Sequence, residues 1–169
     1  PGETIEFQID DADIKTYDTD STAVQDLSLG DGDRLDAVIT SITVGEGAAD
    51  KGKPVNKDNP TTRDRRLVIY ALGLGPTQGA RVAAGALSPS AVPAETVDTV
   101  KVFFGDKRYS QAEMIVEWAG LVPGFVGLYQ INIYVPGDRM RGDDLDVTIR
   151  VGTVENRFIA AVKPTVSVE

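Results

Sequence analysis

The stretch Ala119-Gly120-Leu121-Val122-Pro123-Gly124-Phe125-Val126-Gly127-Leu128-Tyr129-Gln130-Ile131-Asn132-Ile133-Tyr134-Val135-Pro136 decides how the rest of the chain is read. A turn punctuated by Pro123, Gly124 and Gly127 leads into a strand. Ile131, Ile133 and Val135 point to one face of it, and Gln130, Asn132 and Tyr134 to the other. The apolar set predicts a half-buried strand over 128–135. The polar set predicts an anchor for neighbouring loop backbone, with Tyr134 as an exposed aromatic.

Working outward, the same period of two recurs. Residues 112–118 are read as a strand with Met114, Val116 and Trp118 inward and Glu113, Ile115 and Glu117 outward. Further strands are predicted at 3–9 (Ile5, Phe7 and Ile9 on one face), 37–44, 67–72 and 100–104. A last hairpin, 145–151 and 154–162, flanks Gly152-Thr153. Residues 10–36 and 45–64 read as polar loops. The Ala-rich stretch 77–98 carries Gly79, Gly85, Pro89 and Pro93, which argue against a helix because an interior Pro costs about 3 kcal/mol. Seven to nine short strands with frequent Gly/Pro turns define an all-β protein and predict an immunoglobulin-like antiparallel β-sandwich. Residues 57–169 form the predicted sandwich domain. Residues 1–56 are an acidic N-terminal β extension that packs on it or completes it, since two strands alone are too few for independent stability.

Composition narrows the chemistry. The 169 residues contain no Cys and no His. Disulfides, thiolate metal sites and Ser-His or Cys-His nucleophile systems are therefore excluded, together with the commonest general base and zinc ligand. No apolar run approaches membrane-spanning length, so the chain is not expected to be membrane-embedded. It begins at Pro1 and reads as a portion of a larger polypeptide. The net charge of −9 is concentrated in residues 1–64, which hold 6 Lys/Arg against 15 Asp/Glu, whereas residues 65–169 hold 11 of each. An acidic surface repels phosphate backbones and excludes nucleic acid as a natural partner.

The motifs are sparse. Gly73-Leu74-Gly75 follows a strand, but Pro76 breaks any dinucleotide fingerprint, and a strand-ending turn is the simpler reading. Glu113 and Glu117 would lie about 13 Å apart by strand rise, too far for a hydrolytic carboxylate pair. Arg141-Gly142-Asp143 is a three-residue match to an adhesion tripeptide at a predicted loop tip. Asn59 is followed by Pro60, so no glycosylation sequon survives. Asp-rich turns offer hard oxygen ligands, and Asp10, Asp11, Asp13, Asp31 and Asp33 are the calcium candidates. None completes an EF-hand: the frame starting at Asp18 has Ala23 where Gly is required and Leu29 where Glu is required. Trp118, Phe125, Tyr129 and Tyr134 are considered as a sugar-stacking platform, with Trp118 placed in the core by its phase. The residues thus support a non-enzymatic module with a structural, adhesion or protein–protein interaction role, with a carbohydrate- or calcium-binding module that uses the acidic loops as the alternative.

Asn59-Pro60, Leu67 to Thr77, Val100 to Gly105, and Gly120 to Asn132 followed by Val135-Pro136 resemble a known bacterial module. They are similar to the C-terminal domain family abundant in Solibacter and other acidobacteria, in which "iyatGLGPT" precedes "aGlaPGfvGlyQiNv.vP". The likeness covers about residues 57–163, with Asp106 departing from the small residue usual after Gly105. It implies an immunoglobulin-like sandwich in the style of IPT/TIG modules, at the C-terminus of large exported proteins. An extracellular or cell-surface location and a protein or glycan partner follow from that resemblance alone. It carries no catalytic residues and no cofactor.

Overall fold

The computed structural model describes residues 37–79, 82–83, 85–106, 109–138, 141–155 and 165–169. In chain order the strands are β1 (Val38–Val44), β2 (Arg65–Leu72), β3 (Thr77–Gly79), β4 (Ala94–Thr96) and β5 (Val100–Phe104). They continue with β6 (Ala112–Leu121), β7 (Leu128–Val135), β8 (Gly142–Val151), β9 (Val154–Glu155) and β10 (Thr165–Val168). The described residues contain no helix, and so none long and apolar enough to cross a membrane. The strand predicted at 3–9 and most of that predicted at 154–162 lie outside the described residues. Within the stretch read as a loop over 77–98, β3 and β4 form a short antiparallel ladder.

The main path runs β1-β2-β7-β6-β5-β8-β10, and every strand pair in it is antiparallel. β1, from the acidic N-terminal third, pairs with β2 from Val38↔Leu72 to Val44↔Leu67 and belongs to the same sheet. β6 divides its partners. Ala112 to Met114 pair with β5, whereas Ile115 to Leu121 pair with β7.

The two ends of the path are brought close to closure by the segment between β1 and β2. Val44 N–H donates to the Lys53 carbonyl (2.9 Å) and Val55 N–H to the Ile42 carbonyl (2.8 Å), which covers the free edge of β1. Thr61 then bridges to Val168 of β10 in parallel. An open edge presents a row of unpaired backbone groups, so lacing both edges to one segment removes that liability. The result is an antiparallel sheet nearly closed into a barrel.

Alternation fills the interior. Leu67, Ile69 and Ala71 of β2 and Tyr129, Ile131, Ile133 and Val135 of β7 are fully buried, and they face Val102 and Phe104 of β5 and Val147 and Ile149 of β8 in one core. Each such side chain contributes about 1.5–3 kcal/mol by leaving water. The Gly73-Leu74-Gly75 turn serves the same core. Both glycines have positive φ, the backbone region that Gly enters without a Cβ penalty, and Leu74 is buried between them. The Tyr129 hydroxyl donates to the Gly75 carbonyl, so the buried phenol is satisfied.

Candidate functional site

Outward-facing positions of β2 and β7 build the floor of a cleft of about 380 Å³: Val68, Tyr70, Gln130 and Asn132. These residues alternate with the buried ones, so the strand period that makes the core also makes the floor. The ladder pairs Val68 with Asn132 and Tyr70 with Gln130, placing them in two rows across the sheet. Gly45, Glu46 and Lys51 from the β1–β2 connection form one wall, and Glu117 of β6 with Arg66 of β2 forms the other.

Bulging of β6 completes the face. The β6–β7 register passes from Val116↔Ile133 to Trp118↔Asn132, which leaves Glu117 as the extra residue. A bulge of one residue reverses the phase of everything after it. Trp118 therefore shares the outer face with Asn132, and Ala119 and Leu121 turn to the core. This corrects the inward placement of Trp118 expected from unbroken alternation. The indole lies across Gly120: its Cζ2 and Cη2 atoms are 2.6 and 2.8 Å from where a Cβ on that glycine would stand. Its Nε1–H donates to Glu95 of β4 at 3.0 Å.

The electrostatics of the cleft are balanced. Lys51 pairs with Glu46. Arg66 Nε donates to both Glu117 oxygens at 2.9 and 3.0 Å, and this hydrogen bond holds the guanidinium pKa above its ordinary value. The Arg66 guanidinium carbon also lies 5.9 Å from the Tyr134 ring centroid. Tyr134 donates its hydroxyl to Asp64 Oδ1 at 2.9 Å, which raises the phenol pKa, with a smaller push from partial burial. Gln130 Nε2 donates to Asn132 Oδ1 at 2.7 Å, so the two amides expected to anchor loop backbone bond to one another. That bond uses one of the two Gln130 amide hydrogens and one acceptor position of Asn132, leaving the rest of their capacity to the cleft.

The other residues singled out in the sequence are dispersed. The calcium candidates Asp10, Asp11, Asp13, Asp31 and Asp33 lie outside the described residues. Among the described residues no three acidic side chains are grouped so as to hold a metal ion. Glu113 pairs with Lys101, and Glu117 with Arg66, so each carboxylate serves a separate ion pair. Gly142 and Asp143 of the adhesion tripeptide open β8, with Gly142 opposite Val168, and do not stand at a loop tip. Phe125 is exposed in the turn before β7, whereas Tyr129 is in the core. No motif in the sequence marks Tyr70, Arg66, Glu46 or Lys51 as site residues. The parity of β2 places 66, 68 and 70 outward, but only the register with β7 and the fold of the connection bring them to one cleft.

Comparison with protein-family models, with curated proteins and with solved structures gave no match to this chain.

Proposed function

We propose that the chain is a non-enzymatic, immunoglobulin-like β-sandwich module of a larger exported or cell-surface bacterial polypeptide, of the kind abundant in acidobacteria. It works by contact, in adhesion or in association with another macromolecule. The division of β6 between β5, through Met114, and β7, from Ile115 onward, supports the two-layer reading, because a strand shared between two sheets is how sandwich corners are made. One observation carries the functional reading. The cleft over the outer face of β2, β7 and β6 holds its charged lining residues in ion pairs (Lys51 with Glu46 on the β1–β2 connection, Arg66 with Glu117 on the strands) around an amide-and-aromatic floor. Such a surface suits complementarity to a partner, with aromatic and amide groups supplying specificity.

Cosedimentation of the full chain with washed bacterial envelope material tests this reading. Retention is expected for the wild type and for Tyr109→Ala, which alters an exposed residue elsewhere. It is expected to be lost in Asn132→Arg, which fills the outer face with unpaired charge. Equal retention of both variants, or no retention of the wild type, would remove the outer face from the function.

A further inference from the structure

We propose that the cleft on the outer face of β2, β7 and β6 binds a neutral saccharide, with Gln130 and Asn132 bonding its hydroxyl groups, Tyr70 supporting a ring face within the cleft and Trp118, beside Asn132 on the same face, supporting the part of the saccharide chain that runs on past the cleft. This rests on the contact reading above and names the ligand class of that same face.

Charge is the first reason. The ionised groups that line the cleft are two cations and two carboxylates, arranged as Lys51 with Glu46 and Arg66 with Glu117. The cleft is neutral as a whole, and an ionic ligand would have to break a pair to gain one. A polyol breaks nothing: its hydroxyls accept from Arg66 and Lys51 and donate to Glu117 and Glu46 while the pairs persist.

Geometry is the second. Gln130 and Asn132 are two apart on one strand, so both project from the same face, and their mutual bond of 2.7 Å holds the amides in a fixed relation. An ordered donor–acceptor array matches vicinal hydroxyl groups and costs little side-chain entropy on binding. The volume of about 380 Å³ falls within the range of about 300–1,000 Å³ usual for small-ligand clefts.

The aromatic groups are the third. Trp118 lies beside Asn132 in the register, pressed across Gly120 and held by Glu95. Tyr70 lies in the floor beside Gln130. Sugar rings carry apolar C–H faces between their hydroxyls, and an aromatic surface next to an amide pair matches that alternation. The glycine at 120 is what permits the indole to lie against the sheet.

Trp118 is the single tryptophan of the chain, which makes its fluorescence and its indole N–H resonance reporters of this face. The full chain is titrated to millimolar concentration with cellotetraose, chitotetraose, maltotetraose, xylotetraose and mannotetraose. At least one is expected to shift the Trp118 indole signal and the Gln130 and Asn132 side-chain amide signals saturably. Asn132→Ala and Gln130→Ala are each expected to weaken that saccharide about tenfold, the loss of one hydrogen bond, and Tyr109→Ala to leave it unchanged. The proposal is overturned if no saccharide shifts the Trp118 signal. It is equally overturned if the shifts centre on another face or persist at full affinity in both amide variants. The wild-type spectra decide even if a variant fails to fold. Envelope retention uses no defined sugar, so a face that retains envelope but ignores all five saccharides removes the ligand class and leaves the contact reading standing.

Discussion

Thr61 donates its backbone N–H to the Ser167 carbonyl at 2.9 Å, and Glu169 N–H returns to the Thr61 carbonyl at 2.9 Å. Both Thr61 and Ser167 are fully buried, so this exchange is sealed from water. It joins the residues just before β2 to β10 at the far end of the sheet path, and it brings the sheet close to closure. The Ser167 hydroxyl accepts from Asp144 N–H of β8 at 3.2 Å, which fixes β10 to its ladder neighbour while its backbone holds Thr61.

Replacing Thr61 with Pro removes the donor and leaves the Ser167 carbonyl buried without it. The expected loss of stability is about 1–3 kcal/mol, the cost of an unsatisfied buried group. Urea unfolding measures it. Hydrogen exchange at Glu169 should accelerate in the same variant. A change within about 0.5 kcal/mol, the range of an ordinary surface substitution, would show that the closure is not held here.

Gly120 is crowded from two sides. A Cβ there would stand 2.5 Å from the Ala94 carbonyl oxygen and 2.6 Å from the Trp118 ring. The first contact is with backbone of β4, which pairs with β6 through Glu95↔Gly120, so it cannot be relieved by a rotamer change. Gly120→Ala is expected to cost about 1–3 kcal/mol, as overpacking does. It should also change the Trp118 emission maximum, because the indole must leave its place. Unchanged emission together with unchanged stability would contradict this packing.

Tyr129 predicts an alkaline limit. Burial pushes its phenol well above the ordinary value of 10.0. Above pH 10 the unfolded state loses the phenolic proton while the folded state keeps it, so the unfolded state binds fewer protons and stability falls as pH rises. The contribution is intact below pH 10 and declines above it by up to about 1.4 kcal/mol per pH unit. Tyr129→Phe removes this component but leaves the Gly75 carbonyl without its donor. It should therefore be less stable than wild type at pH 8, by about 0.5–1.5 kcal/mol, and the gap should narrow above pH 10. A gap that stays constant with pH would mean that the phenol titrates equally in both states.

The strands were legible where parity is unbroken. Residues 100–104 and 128–135 match β5 and β7 at both ends, because each alternates cleanly between turn residues. The outer face departs from simple alternation at one residue. Met114 and Val116 lie on one parity and Ala119 and Leu121 on the other, so the apolar series itself slips between 116 and 119. That slip is a readable sign of the bulge at Glu117, and it moves Trp118 from the core side to the outer face, beside Asn132. The closing role of 53–61 left no comparable sign. The segment is polar, and the backbone bonds by which it reaches β1 and β10 are to Ile42, Val44, Ser167 and Glu169, none of which its composition indicates. Clefts assembled from register and from loop backbone are legible only once the pairing is known.

The Arg66–Glu117 pair bears on the neutrality of the cleft more than on folding. Its nitrogen and oxygen approach to 2.9 Å, but the Arg66 side chain is 50% exposed and that of Glu117 33%. Water therefore screens the attraction, and such pairs contribute about 0.2–1 kcal/mol. Arg66→Gln, Glu117→Gln and the double variant should each lie within about 1 kcal/mol of wild type, with a coupling in that same range. For contrast, Ile131→Ala in the fully buried row should cost about 2–5 kcal/mol. Denaturant unfolding of the four variants at low and high salt separates the two kinds of position: the coupling between 66 and 117 should shrink with salt, and the cost at 131 should not. A coupling well above 1 kcal/mol that persists in high salt would mean that the pair is shielded from water and holds β2 to β6 as part of the fold.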